Sequence, residues 1–119
     1  MNNFNNNKKL KVAMIGGWGH GSYIISNFRD NNFENAELVA MGQTTAEESL
    51  WDLPEELNSV AAYSDYKQML KEVQPEVAVV STRLDKINQA AVDAAEDGCN
   101  LICEKPMAAG YDQLNNLYQ

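Results

Sequence analysis

Lys11-Val12-Ala13-Met14-Ile15-Gly16-Gly17-Trp18-Gly19-His20-Gly21-Ser22 is an apolar run that breaks into four glycines. Such a run reads as a strand covered on both faces, and the glycines after it as a sharp turn feeding a helix. The pattern has a chemical use. Glycine lets the backbone turn tightly and approach a ligand, and the following helix offers unpaired N–H groups and a partial positive charge to a pyrophosphate. Glycine clusters also make ordinary tight turns, so the neighbouring elements decide what this one is for.

Working outward, Tyr23, Ile24, Ile25 and Phe28 give the next helix one apolar side, with its end near Asn31 and Asn32. Residues 37–42 are a short apolar run and predict a second strand. Thr44 is a plausible cap for a short helix over 44–51, cut off before Pro54. Residues 60–63 form a weak third strand, and Ser64 is the expected cap of a helix whose Tyr66, Met69, Leu70 and Val73 share one face until Pro75. Residues 76–82 are a β-branched fourth strand. Asp85 is the expected cap of a helix with an Ile87, Ala90, Ala91, Ala94 face, ended by Gly98. Residues 99–103 give a fifth strand, Glu104-Lys105-Pro106 follows it, and a last helix is expected over 111–117.

Strands alternating with helices imply right-handed crossovers and an open, doubly wound parallel sheet, the Rossmann arrangement of the α/β class. Ligands of such sheets sit beyond the carboxyl ends of the strands. That rule places residues 16–21, Gln43, Thr82, Arg83, Glu104 and Lys105 along one rim. No lysine stands between Gly21 and Ser22, so the turn is not a P-loop. Nor does an acidic cluster end the first strand, as receiver-domain chemistry would need.

The chain has 119 residues, enough for one core but not for two full domains. Its formal charge of −8 opposes approach to a nucleic-acid backbone or an anionic membrane. Residues 1–9 are asparagine-rich with little apolar content and read as a frayed tail ahead of a domain over 10–119. The N-terminus carries no apolar signal core and no run approaches membrane-spanning length, so a cytoplasmic location is the expectation. Cys99 and Cys103 are too few for a disulfide framework and read as reduced, buried thiols; with His20 they lack zinc spacing, and no metal site is expected. Glu47, Glu48, Glu55 and Glu56 read as a solvated face.

The succession of the glycine turn, Glu37-Leu38-Val39-Ala40, the 63–70 segment, Pro75-Glu76-Val77-Ala78-Val79-Val80-Ser81-Thr82 and Leu101-Ile102-Cys103-Glu104-Lys105-Pro106 resembles the N-terminal half of the Gfo/Idh/MocA oxidoreductases. The resemblance covers nearly all of the chain after the tail, and its most specific part is Glu-Lys-Pro after the fifth strand. It implies a domain binding NAD or NADP, normally completed by a sixth strand and by a second α/β domain that holds a sugar, cyclitol or polyol. The pattern here stops before both, so the expected role is the cofactor half of a hydride-transferring oxidoreductase, inactive by itself. A fifth strand left at the sheet edge, with Leu101 and Ile102 on it, adds an expectation of homo-oligomers. The alternative is a non-catalytic dinucleotide-binding module or an inactive fragment.

Carried over residue by residue, the resemblance makes Lys105 the catalytic group, holding the hydroxyl or carbonyl under reaction. It makes Gly16, Gly17, Trp18, Gly19, Gly21, Gln43, Thr44, Thr82, Arg83, Glu104, Lys105 and Pro106 the cofactor-binding set. Two registers fit the fingerprint. Counted from Gly16, Trp18 takes the second glycine position; counted from Gly17, Ser22 takes the third. Trp18 is either a lid over the ligand or packed on its own domain. Gln43 stands where the family commonly has a ribose-binding acid, which permits NADP without supplying a charge to hold it. Arg83 serves cofactor or substrate oxygens, or is a solvated rim residue.

Overall fold

The computed structural model describes residues 9–103, so the tail over 1–8, Glu104-Lys105-Pro106 and the expected helix over 111–117 lie outside the described residues. Five strands, β1 (Leu10–Ile15), β2 (Ala36–Gly42), β3 (Ala61–Tyr63), β4 (Val77–Val80) and β5 (Asn100–Cys103), form one sheet in the order β3-β2-β1-β4-β5. Every pairing is parallel. Three helices, α1 (Gly21–Arg29), α2 (Tyr66–Val73) and α3 (Leu84–Glu96), make three of the four crossovers. The chain turns from one half of the sheet to the other between β1 and β4, which is where a doubly wound sheet opens its binding crevice. No described helix is long and apolar enough to cross a membrane.

Alternation along β1 explains both layers. Ala13 and Ile15 join Met69, Leu70, Ile87, Ala90 and Ala94 from α2 and α3 in one core. Val12 and Met14 point the other way, into a core with Ile25 of α1, Leu38, Met41 and Val79. The predicted faces of α2 and α3 are the buried ones, with Val73 half-buried. A hydroxyl from the first core, Tyr66 Oη, donates to Asp93 and ties α2 to α3.

Local expectations failed mostly at the caps. Asp65, not Ser64, caps α2, its carboxylate accepting from Lys67 N at 2.9 Å. Arg83 occupies the N-cap of α3 without a side-chain cap bond, and Asp85 lies in the first turn, where an acid favours the helix dipole. The helix after the glycine turn ends at Arg29, and Asn31 follows with φ 58°. Cys99 is buried as expected, but Cys103 is only half-buried; both are free thiols, pushed up in pKa first by burial.

The largest departure lies between β2 and β3. Residues 44–51 form no helix; the segment is an irregular loop with one short 3-10 turn, Glu55–Leu57. Its apolar side chains Leu50, Trp51, Leu53 and Leu57 pack on the second core beside α1, covering the sheet as a helix would. Its Glu48 is turned inward, which fixes the loop by side-chain bonds instead of a helical ladder.

Candidate functional site

The glycine turn joins β1 to α1 at the carboxyl ends of β1, β2 and β4. Gly16 N donates to Gly42 O at 2.8 Å and Trp18 N to Ser81 O at 2.9 Å, so the turn is pinned to both neighbouring strands. Gly16 has φ 96°, and a Cβ there would lie 2.5 Å from Thr82 Cβ and 2.6 Å from Ser81 O. Only glycine fits. Gly21 opens α1, and a Cβ on it would fall 2.4 Å from the Trp51 ring and 2.9 Å from the end of Met14. These are the first and third roles of the fingerprint, the tight turn and the close helix packing. The register therefore runs from Gly16 through Trp18 to Gly21. Trp18, at the second position, is 61% exposed.

Ser81 locks this arrangement. It is buried, its hydroxyl donates to Trp18 O, and it accepts from Gly21 N at 3.2 Å. Gly19 holds φ 86°, and His20 stacks on Tyr23 with ring centroids 5.6 Å apart. His20 gives α1 no side-chain cap.

Glu48 reaches the same place from the β2–β3 loop. Its Oε2 accepts from Gly17 N at 3.1 Å and Thr82 Oγ1 at 2.7 Å, and its Oε1 from Thr44 N at 2.7 Å and Thr44 Oγ1 at 2.6 Å. Burial pushes this carboxyl up in pKa, but the hydrogen bonds from Thr44, Thr82 and Gly17 outweigh it and hold the group below its ordinary value. The expectation of a solvated acid fails for Glu48, while Glu47, Glu55 and Glu56 are exposed. The loop also closes on Gly17, where a Cβ would lie 1.9 Å from Ser49 O.

Of the residues singled out from sequence, Gly17, Trp18, Thr44 and Arg83 line one cleft of about 380 Å3, together with Thr45, Glu47, Glu48, Ser49 and Lys86. Thr82 is buried, 3.2 Å from Thr44 between hydroxyl oxygens. Arg83 is exposed and paired with Asp85 at 3.2 Å. Gln43 turns away: its amide nitrogen donates to the carbonyls of Glu48 and Ala46, bracing the loop. Glu104, Lys105 and Pro106 lie outside the described residues. Sequence reasoning missed Glu48, Ser81 and Lys86. Glu48 reaches back four residues to the Thr44 amide, one more than the capping-box spacing, so no local rule marked any of the three.

A glycine turn at the switch point, seated on the ends of β1, β2 and β4 and opening a helix, is the arrangement of a dinucleotide-binding Rossmann domain. Residues 10–119 match the family described as the oxidoreductase family, NAD-binding Rossmann fold, GFO_IDH_MocA. The chain belongs to the Gfo/Idh/MocA family, as its NAD-binding domain. Solved structures agree on the fold. A Thermotoga maritima protein proposed as an oxidoreductase matches with a TM-score of 0.79 at 24% identity, over 92% of this chain and 33% of its own. Myo-inositol 2-dehydrogenase from Lactobacillus plantarum matches at 0.75 and 22%, over 93% and 32%. Scyllo-inositol dehydrogenase from Lactobacillus casei, solved with NAD(H) and scyllo-inositol, matches at 0.71 and 17%, over 91% and 31%. The chain thus spans about a third of the length of these neighbours. No curated protein matches it.

Proposed function

We propose that this chain is the cofactor half of a dehydrogenase that moves hydride between a nicotinamide and a hydroxyl-bearing carbon of a sugar-, cyclitol- or polyol-like substrate. The observation that carries the reading is the glycine turn, with Gly16 and Gly21 in their fingerprint roles at the opening between β1 and β4. The residues present fit a dinucleotide. Gly17 and Trp18 of the turn line a cleft with the loop after β2, and the start of α1, fixed by Ser81, follows directly after them in the chain. The substrate class is supported by the two inositol dehydrogenases among the structural neighbours.

When bound, NAD supplies the hydride acceptor, and this chain's residues bind and orient it. We assign proton handling at the substrate oxygen to Lys105, because Glu104-Lys105-Pro106 directly follows the fifth strand and a lysine ammonium can donate to a hydroxyl or carbonyl. A cytoplasmic setting and a homo-oligomer, with neither nucleic acid nor membrane as partner, complete the reading.

NAD titrated into the 119-residue chain is expected to give a saturable change in tryptophan emission, since Trp18 and Trp51 both flank the turn. In a protein that also carries the substrate-binding part, Lys105→Met should lower kcat by about a hundredfold and leave NAD affinity nearly unchanged. Absence of saturable binding rules out the cofactor role. Unchanged turnover in the Lys105 variant rules out the proton role alone.

A further inference from the structure

In a dinucleotide fold an acid at the end of the second strand takes the adenosine ribose hydroxyls, and here that position holds Gln43. The amide nitrogen of Gln43 is spent on the loop carbonyls of Ala46 and Glu48. A carboxylate nevertheless stands at this strand end, supplied by the loop. We propose that Glu48 is the group that reads the cofactor's ribose diol and that it makes the site select NAD over NADP. This rests on the reading of the chain as an NAD-binding domain and adds the residue that chooses between the two cofactors.

The hydrogen-bond pattern suits the role. Glu48 is held in place by two backbone donors, Gly17 N on one oxygen and Thr44 N on the other. Its remaining partners are two threonine hydroxyls, Thr44 Oγ1 and Thr82 Oγ1. Hydroxyls rotate and both donate and accept. A vicinal diol entering the cleft brings two O–H donors that can replace the threonines on the carboxylate. One threonine hydroxyl can then donate to the other, 3.2 Å away, and the second can donate to a ribose oxygen, since the diol accepts as well as donates. The exchange leaves the carboxylate bonded and strands no buried donor, the condition for a polar swap to cost little.

A 2′-phosphate fits this setting poorly. It offers Glu48 no comparable donor and sets more negative charge against a carboxylate that four hydrogen bonds keep ionised. Glu47 lines the same cleft. Arg83 and Lys86 are its cations, and Arg83 is engaged by Asp85 at 3.2 Å. Gln43 by itself leaves NADP open; Glu48 closes it.

The test is the ratio of the dissociation constants for NADP and NAD, both measured on one sample so that the fraction folded cancels. The wild-type chain should bind NAD at least about tenfold tighter, the scale set by a hydrogen bond to a charged group. Glu48→Gln should shrink that ratio by about tenfold, chiefly through a gain for NADP. A wild-type chain that binds NADP as tightly as NAD overturns the proposal even if the variant does not fold. An unchanged ratio in Glu48→Gln also overturns it, whether both affinities rise together, as for a carboxylate that merely blocks the turn, or neither moves. Binding of neither cofactor by the wild-type chain would instead defeat the underlying cofactor reading.

Discussion

The loops that follow β4 and β2 both border the glycine turn, yet they hold it by different means. After β4, Ser81 and Thr82 are each 2% exposed, and the turn meets backbone and buried hydroxyl there. After β2, no residue from 43 to 60 is fully buried; the Glu48 carboxylate and the Ser49 backbone meet the turn there, while Thr44 and Gln43 brace the loop from within. One wall is part of the core; the other is laid against it. The first fixes the turn in place, and the second is the wall to which the proposal above gives the choice between dinucleotides.

Neighbouring glycines give the sharpest way to break this comparison, because each backs onto a different wall. Gly16→Ala forces an L residue to φ 96° and drives a Cβ into Thr82 and Ser81, which cannot yield without disturbing β4. A left-handed conformation costs about 1–2 kcal/mol and overpacking about 1–3 more, so we expect a loss of about 3 kcal/mol. In a domain of this size that is a fall in Tm of roughly 15 °C, read by thermal unfolding. A change of only a degree or two would mean that the β4 wall is as yielding as the other.

Legibility from sequence follows the same division. Where burial of a periodic face decided the structure, the residues said so, except on α1, where Tyr23, read with Ile24, Ile25 and Phe28 on the apolar side, is 66% exposed. The β1 run, the Tyr66, Met69, Leu70 face and the Ile87, Ala90, Ala91, Ala94 face are all core, and the parallel order follows from the alternation of elements. Where a side chain bonds to a distant backbone, local pattern misled. Acids after a threonine look like the first turn of a helix, but Glu48 finds donors on Gly17 and Thr82, 31 and 34 residues away in sequence. No local rule ranks those donors above a helical turn. The same blindness left the fingerprint register open, since it is the approach of Thr82 to Gly16 and of Trp51 to Gly21 that sets it.

Gly17→Ala probes the outer wall. Its Cβ would stand 1.9 Å from Ser49 O and 2.9 Å from Leu50 Cα, so the loop has to lift away. Because that loop buries no residue fully, lifting it costs its own contacts and leaves the sheet intact. We expect a loss of about 1 kcal/mol by denaturant unfolding, well below that for Gly16→Ala. Equal losses for the two variants would show the loop to be as integral as β4.

The smallest expected effect is the acid response of Glu48, and its sign is fixed by the hydrogen bonds. Burial opposes ionisation, but the donors from Thr44, Thr82 and Gly17 prevail, so the folded chain holds this carboxyl below its ordinary value of 4.5. A group depressed on folding binds its proton less readily in the folded state than in the unfolded one. Its stabilising contribution is therefore complete above the ordinary value and disappears as pH falls through the folded one. Glu48→Gln removes the ionisation without changing the side chain's size, and Glu47, Arg83 and Lys86, which line the same cleft, are common to both proteins. Thermal unfolding from pH 7 downward should thus show a wild-type advantage over Glu48→Gln that is steady near neutrality and narrows in acid below the ordinary carboxylate value. An advantage that stays constant through that range would mean the charge on Glu48 plays no part in holding the loop against the turn, and the outer wall would then rest on the packing of Leu50, Trp51, Leu53 and Leu57 and on the bonds of the Gln43 amide.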